Sequence, residues 1–238
     1  MIDILQFTDN GCININGINY YYKKNENYLE LLVEQIANLY DVRHVHYIPI
    51  TYGNKDFYLS KDLNEYGEFL TAEDIGIKDN SLDYIRDFLL SIYPDDYERL
   101  MDQVIKMYFM DLIIQNIDRN ISNWGFLKDK NNSINLYILD NELSFIGEHT
   151  SICSCHNPHN RSIIEIENII DNFPIEYKEL FYNMYNELDI IKLLLLINDV
   201  ENSINKELPN KDFYIKSFTQ FKSRFDKLMK EKNKELIK

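Results

Sequence analysis

The stretch from Asp95 to Leu127 limits the possible folds most, because a long helical pattern runs directly into a polar loop and then into a β-prone segment. Residues 95–116 are acidic at the start and, toward the end, apolar on so much of the helical surface that this helix is expected inside a core. An apolar Trp-Gly-Phe-Leu run follows the polar residues Asp118, Arg119, Asn120, Ser122 and Asn123. The loop is therefore held between two core-forming segments. It is either an ordinary surface loop or a loop that carries out chemistry.

The first part of the chain has mainly strand character. Short β-prone runs, "DILQFT", "CINI" and "INYYYKK", are separated by Asn-Gly turns, the strongest short hairpin signal. "ENYLELLVEQIANLYD" then has the apolar spacing of an amphipathic helix, and "VRHVHYIPITYG" and "DFYLSKDL" return to strand character, with Gly53-Asn54 as the turn between them. We predict a small β-rich lobe with one helix over residues 1–63.

The remainder, residues 64–238, is expected to form a larger helical lobe. "NEYGEFLTAEDIGIKDNS" is interpreted as a polar connection, "LDYIRDFLLSIY" and "DDYERLMDQVIKMYFMDLIIQN" as helices, and "WGFLKD" with "NLYILD" as a hairpin. Further helices are predicted at about 163–171, 175–186, 187–204 and 210–236. The predicted fold class is α+β, in two lobes.

Composition excludes several classes of function. With 238 residues, a net charge of −14 and a pI near 4.8, the chain lacks the basic surface that nucleic acids and anionic membranes require. The sequence has no apolar stretch of the roughly 18 residues that cross a bilayer, and its N-terminus does not resemble a signal peptide. Three cysteines do not form a disulfide framework. We therefore expect a cytoplasmic globular protein without nucleic-acid or membrane partners.

The sequence that follows the apolar helix contains three residues with the side-chain types that phosphoryl transfer requires. Asp118 and Asn123 form a D-x-x-x-x-N pattern, and Asp140 ends the apolar run "NLYILD". In kinases an aspartate orients the attacking hydroxyl, while an asparagine and a second aspartate bind Mg²⁺. A turn after a strand is the simpler interpretation of Asp140, and D-x-x-x-x-N also arises by chance in polar loops.

The first lobe supplies candidates for the remaining requirement, a lysine on the phosphates paired with a helical glutamate. Lys23 ends the run "INYYYK", and Glu30 lies early in the following helix. Lys24 competes with Lys23 for this role. Glu34, one turn further along the same helical face, competes with Glu30.

These motifs resemble HipA-like serine/threonine protein kinases, and among them the compact CtkA-type members with a shortened first lobe. "QNIDRNISNWGF" is similar to the family pattern G-N-x-D-R-H-x-x-N-W-G-F, and "YILDNELS" to P-x-F-D-N-G-x-S. Weaker similarity extends over "YLELLVEQIANLYDV" and "FYLSKDL". The resemblance covers most of residues 18–145 and implies a two-lobed protein-kinase-like fold that transfers the ATP γ-phosphate to a protein hydroxyl, with autophosphorylation also possible.

Carried over by position, the resemblance makes Asp118 the catalytic aspartate. It makes Asn123 and Asp140 the Mg²⁺ ligands within the ATP site, and Lys23 with Glu30 the ion pair that positions the phosphates. ATP and Mg²⁺ are the implied cofactors. The resemblance leaves the protein substrate open, along with any action as a toxin.

The adenine would lie against a hinge formed by Leu59, Ser60 and Lys61. Two departures from the family pattern stand out. Asn120 replaces the usual histidine, and the first lobe has turn glycines but no glycine-rich phosphate loop. Few backbone amides would then cover the phosphates, so ATP binds less enclosed, a partner polypeptide completes the lobe, or catalysis is weak.

Two other classes of function remain open. The missing glycine-rich loop favours a pseudokinase, a binding module that keeps the fold and its nucleotide affinity without useful transfer. A small-molecule phosphotransferase on a related fold is the third alternative. It ranks behind the others because such enzymes carry a histidine before the catalytic aspartate, where this chain has Ile117.

"CSCHNPHNR" follows Asp140 at the position of a kinase activation segment. We interpret it as a substrate-binding loop, with Thr150, Ser151 and Ser154 as candidate autophosphorylation sites. The alternative is a Zn²⁺ site, with the candidate ligands Cys153, Cys155, His156 and His159. The Cys-x-Cys spacing is too tight for the usual zinc knuckle.

Overall fold

The computed structural model describes residues 10–24, 27–145 and 170–235. Its strands are β1 Asn10–Ile15, β2 Ile18–Lys24, β3 Tyr47–Tyr52, β4 Lys55–Lys61, β5 Gly67–Thr71, β6 Trp124–Asp129 and β7 Ile134–Ile138. The α-helices within these ranges are α1 Leu29–Leu39, α2 Leu82–Ile92, α3 Tyr97–Ile114, α4 Ile175–Glu187, α5 Ile190–Ile204 and α6 Lys211–Glu235. This order confirms the α+β class.

The first sheet is antiparallel, with strand order β1-β2-β4-β3. Two predicted turns, Asn16-Gly17 and Gly53-Asn54, are the hairpin turns of this sheet, and all four residues have positive φ. That conformation costs glycine and asparagine least, and it matches the twist of the flanking strands. The turn predicted at Asn10-Gly11 is wrong, because both residues lie in β1 and pair with Lys23 and Tyr22 of β2. The predicted strand "DILQFT" lies outside the described residues.

The second sheet, with strand order β5-β6-β7, corrects one prediction. The segment interpreted as a polar connection contains strand β5, which pairs with β6 from Gly67 opposite Asp129 to Thr71 opposite Gly125. A Cβ at Gly67 would lie 2.1 Å from the Lys128 carbonyl oxygen, and one at Gly125 would lie 2.3 Å from that of Leu70. The local sequence does not predict β5, because its pairing partner β6 lies far along the chain. The close approach of the two strands also depends on the absence of a side chain at Gly67 and Gly125.

Helix α3 is central to the core, as predicted. Every residue from Met107 to Ile114 is buried, and the core cluster that contains them extends to α1, the second sheet and the last three helices. A separate small cluster, formed by Tyr22, Phe57 and Leu59, lies within the first sheet. Helix α1, together with Tyr47 on β3 and Tyr58 on β4, thus joins the predicted first lobe to the main core.

The remaining helices differ from prediction mainly at their ends. The third helix was expected from Asp95, but Pro94–Asp96 form a 3-10 turn before α3. The helix predicted at 187–204 is α5, which begins at Ile190. It begins there because the Asp189 carboxylate accepts a hydrogen bond from the backbone N–H of Lys192 at 2.7 Å. The predicted helix at 163–171 lies almost wholly outside the described residues. In the part of the chain that the structure describes, every helix is too short or too polar to span a bilayer.

Candidate active site

Lys23, near the end of β2, connects three carboxylates. Its Nζ lies 2.5 Å from Oε1 of Glu30, 3.2 Å from Oδ1 of Asp140 and 3.2 Å from Oε1 of Glu142. The rival Glu34 points elsewhere, and binds Nδ1 of His46 at 2.6 Å. The structure therefore pairs Lys23 with Glu30, although sequence left both partners open.

The Lys23–Glu30 pair joins a half-buried lysine to a fully buried glutamate. Burial lowers the pKa of Lys23, but the Glu30 carboxylate and the other nearby acidic groups raise it more, so the net pKa lies above the usual value. Burial raises the pKa of Glu30, and Lys23 opposes that rise. Lys23 thus remains a cation at neutral pH.

The loop after α3 holds Asp118 and Asn123 against each other. Gln115 ends α3 in the left-handed region, with φ 55°, and Asn116 Oδ1 accepts a hydrogen bond from the Asp118 N–H at 3.1 Å. The Asn123 amide nitrogen donates to the Asp118 carbonyl oxygen at 2.7 Å and lies 3.3 Å from Asp118 Oδ2. Asn120, at the position of the family histidine, accepts from the Ser122 N–H at 2.9 Å and shapes the turn.

Asp140 reaches this loop through its preceding residue. The Leu139 N–H donates to the Asn123 carbonyl oxygen at 2.8 Å, which extends the pairing of β6 with β7. Asp140 then adopts φ 42° and donates its N–H to the Tyr47 hydroxyl at 3.3 Å. Asp140 therefore directly follows the residue that is hydrogen-bonded to the Asn123 backbone. Asp140 and Asn123 lie on the same side of the molecule.

Arg119 is fully buried and binds both segments. Its Nε and Nη2 lie 2.9 and 3.0 Å from the two carboxylate oxygens of Asp111, a forked ion pair. Its Nη1 donates to the carbonyl oxygens of Asn123 and Leu139, each at 2.7 Å. One side chain thus fixes the backbone next to both predicted metal ligands.

Two buried asparagines complete the support of the loop. The Asn141 Oδ1 accepts a hydrogen bond from Arg119 Nη2 at 2.5 Å. The backbone N–H and the amide nitrogen of Asn141 donate to the Glu30 carboxylate. Asn80 donates to the Arg119 carbonyl oxygen at 2.6 Å and accepts from Trp124 Nε1 at 3.1 Å. Asn80 therefore binds the loop on both sides of Asn123.

A cleft of about 440 Å³ lies beside these residues. Lys23, Tyr47 and Asp140 line one part of it, and the predicted hinge residues Ser60 and Lys61 line another. The third hinge residue, Leu59, is buried instead in the small cluster of the first sheet. A concave pocket of several hundred cubic ångströms with a few polar groups is the usual form of a small-ligand site.

Of the two predicted metal ligands, Asp140 lines the cleft and Asn123 does not, and both carry oxygen atoms suited to a hard divalent cation. Asn123 offers its amide oxygen, because its amide nitrogen is used by Asp118, and Asp140 offers a carboxylate that is 48% exposed. Carboxylate and amide oxygens are the ligands that Mg²⁺ prefers. Among the described residues, Glu30, Asp140 and Glu142 also form an acidic group with ligand atoms within 4.8 Å of one another, but Lys23 already contacts all three.

Sequence reasoning did not assign a role to several site residues. Arg119 and Asn141 match fixed positions of the two family patterns, which was the available signal, whereas nothing in the sequence singles out Asn80; all three are buried. Glu142 occupies the position of the glycine in the family pattern, and that departure was visible in the sequence. Residues 146–169 lie outside the described part, so the activation-segment and Zn²⁺ interpretations of Cys153, Cys155, His156 and His159 remain predictions.

Comparison with known proteins gives structural matches alone. Neither a protein-family model nor a curated protein matches the sequence. The Helicobacter pylori proinflammatory kinase CtkA matches with TM-score 0.66 and 16% identity, over 96% of this chain and 95% of that chain. The Shewanella oneidensis MR-1 HipA complex with HipB and operator DNA matches with TM-score 0.59 and 10% identity, over 93% of this chain and 64% of that chain. The chain therefore has a protein-kinase-like fold, shared over most of its length with the CtkA and HipA kinases.

Proposed function

We propose that the protein is an ATP-dependent serine/threonine protein kinase of the HipA-like type. The observation that carries this proposal is the contact of Lys23 Nζ with both Glu30 and Asp140, at 2.5 and 3.2 Å, although 117 residues separate Lys23 from Asp140. In kinases a lysine on the phosphates pairs with a helical glutamate, and an aspartate just after a strand holds the Mg²⁺ of the nucleotide.

Three side chains carry the transfer in this proposal. The Lys23 cation binds the phosphates of ATP and is held by Glu30. The Asp118 carboxylate, half-buried at the loop, accepts the proton of the attacking serine or threonine hydroxyl. Asn123 holds Asp118 through its amide nitrogen, which fixes the direction from which the hydroxyl is bound.

Asn123 and Asp140 are the proposed Mg²⁺ ligands. When bound, the ion neutralises charge on the phosphates. Arg119 supports both ligands, since it holds the carbonyl oxygens of Asn123 and Leu139 at 2.7 Å. In this proposal the adenine lies in the cleft against Ser60 and Lys61, which line it.

A transfer assay and a binding assay together test the proposal. Protein is incubated with γ-labelled ATP, Mg²⁺ and a protein extract, and Mg·ATP affinity is measured by isothermal titration. We expect labelled serine or threonine with the parent protein and none with Asp118→Ala, which should still bind Mg·ATP. Binding without transfer to any protein, including itself, identifies a pseudokinase. In a parallel assay with aminoglycosides in place of the extract, label on these small molecules and on no protein identifies a small-molecule phosphotransferase. Absence of Mg·ATP binding rejects all three functions.

A further inference from the structure

We propose that Asn141 and Arg119 are positioning residues that couple the phosphate-binding lysine to the catalytic loop, through a buried relay from Glu30 to Asp111. The inference rests on the proposed function for its catalytic meaning. The relay itself is a property of the described side chains, and it joins helix α1 of the first lobe to the loop after α3.

Asn141 donates one hydrogen bond to each carboxylate oxygen of Glu30. Its backbone N–H donates to Oε1 at 2.9 Å, and its amide nitrogen donates to Oε2 at 3.1 Å. Glu30 is fully buried and has Lys23 as its cation. A buried carboxylate needs such donors, because it has lost its hydration. Asn141 thus fixes the orientation of the group that holds Lys23.

The same asparagine accepts from Arg119. Its Oδ1 lies 2.5 Å from Nη2, and the guanidinium is otherwise committed to Asp111 and to the carbonyl oxygens of Asn123 and Leu139. The planar guanidinium has donors in fixed directions, so displacement at one end changes geometry at the other. The position of Glu30 is thereby linked to that of the loop.

Only an amide fits this position. Asn141 donates to a carboxylate on one side and accepts from a guanidinium on the other, so the two ends of its side chain need opposite polarity. An aspartate satisfies Arg119 but presents an oxygen to Glu30. A leucine of similar size leaves both partners unsatisfied in a buried site.

The first test is Asn141→Asp, with Asn135→Asp as its matched control. Asn135 is also buried and accepts from a guanidinium, that of Arg99 at 3.0 Å, but lies on β7 away from the cleft. For Asn141→Asp we expect kcat to fall at least about tenfold, while the Kd for Mg·ATP changes less than about threefold. The reason is that the position of Lys23 relative to the catalytic loop matters most in the transition state. The control should keep the parental values. Equal kcat in the two variants overturns the proposal.

A polarity swap separates positioning from folding. In Glu30→Gln/Asn141→Asp the glutamine amide can donate to the new carboxylate, so the buried contact returns with donor and acceptor exchanged. We expect the Tm lost in Asn141→Asp to return to within about 2 °C of the parent, while kcat stays low because Lys23 has lost its carboxylate. A Tm no higher than that of Asn141→Asp shows that the two side chains do not meet as donor and acceptor, and overturns the proposal.

A stability cycle needs no catalysis. Glu30→Gln, Arg119→Lys and the double variant are compared by thermal unfolding. Coupling through Asn141 predicts that the Tm change of the double variant departs from the sum of the single changes by at least about 2 °C. Additive changes reject the relay even if the parent transfers phosphate. Coupled changes in a protein without transfer keep the relay and reject the proposed function.

Discussion

The Asn123 side chain lies against Asp118, with its amide nitrogen 2.7 Å from the Asp118 carbonyl oxygen and 3.3 Å from Oδ2. This contact orients the carboxylate before any ligand binds. It also leaves the amide oxygen of Asn123 for a metal. One loop of the kinase-like fold thus places the proposed base and a proposed metal ligand together.

Replacing Asp118 with asparagine should remove transfer and spare the fold. The carboxylate is half-buried, and asparagine has the same shape without a proton-accepting carboxylate. We expect kcat to fall by about 10² to 10⁴, with Tm within a few degrees of the parent. The exposed Asp199 on α5, changed to asparagine, is the control and should keep full activity. Transfer at the parental rate in Asp118→Asn removes this residue from the mechanism.

Replacing Lys23 with methionine should weaken both nucleotide binding and the fold. The fully buried Glu30 then keeps only hydrogen bonds, and an unpaired buried carboxylate costs about 3 kcal/mol or more. Loss of the cation raises the pKa of Glu30 further. Folded protein then binds this proton more tightly than unfolded protein, so we expect the Tm deficit to be large at pH 8 and smaller at pH 5. Lys24→Met, at the rival position, should behave like the parent in both assays; the reverse ranking would assign the role to Lys24.

Replacing Asn80 with alanine should loosen the catalytic loop from the side of Trp124. The change leaves the Trp124 indole N–H and the Arg119 carbonyl oxygen without their partner, at about 1–3 kcal/mol for each unsatisfied group. Trp124 is the single tryptophan of the chain and is fully buried, so its fluorescence reports this site alone. We expect a lower Tm and a red-shifted emission, and unchanged emission would show that Asn80 does not hold the indole.

Replacing Gly125 with alanine should disturb the second sheet. The added Cβ would lie 2.3 Å from the Leu70 carbonyl oxygen, which is backbone and cannot rotate away. Overpacking of this kind costs about 1–3 kcal/mol, and we expect a Tm drop of several degrees measured by circular dichroism. A parental Tm in Gly125→Ala would mean that β5 and β6 separate readily.

The ion pair between Asp56 on β4 and Lys206 after α5 should contribute a small, pH-dependent stability. Lys206, at 2.7 Å, lowers the pKa of Asp56 to about 2. The folded pKa is depressed, so the contribution is present above the unfolded pKa of about 3.9 and is lost as the pH falls toward about 2. We expect Asp56→Asn to cost no more than about 1 kcal/mol at pH 7, because solvent screens the pair. Thermal unfolding of parent and variant should converge near pH 2, and a constant difference would assign the effect to another contact.

The sequence determined the local elements where the pattern was strong and its partners were near. The Asn-Gly and Gly-Asn pairs placed both hairpin turns of the first sheet, because their backbone preference is intrinsic to those residues. The apolar face of α3 placed the central helix, since its spacing is a property of the helix alone. Residue order after α3 pointed to a kinase-like fold, which the structural comparison confirms.

Only the tertiary structure decided which distant groups meet. Strand β5 exists because Gly67 and Gly125 admit a backbone from far along the chain, and no local preference records that pairing. Glu30 rather than Glu34 pairs with Lys23, because one turn of α1 separates the two carboxylates: Glu30 lies next to Lys23 and Asn141, and Glu34 next to His46. In the sequence, Arg119 is one polar loop residue among several. The fold buries it and brings Asp111 next to it as its charged partner. The physical reason is the same in each case: a buried polar group is stabilised by its partners, and the fold alone brings those partners within reach.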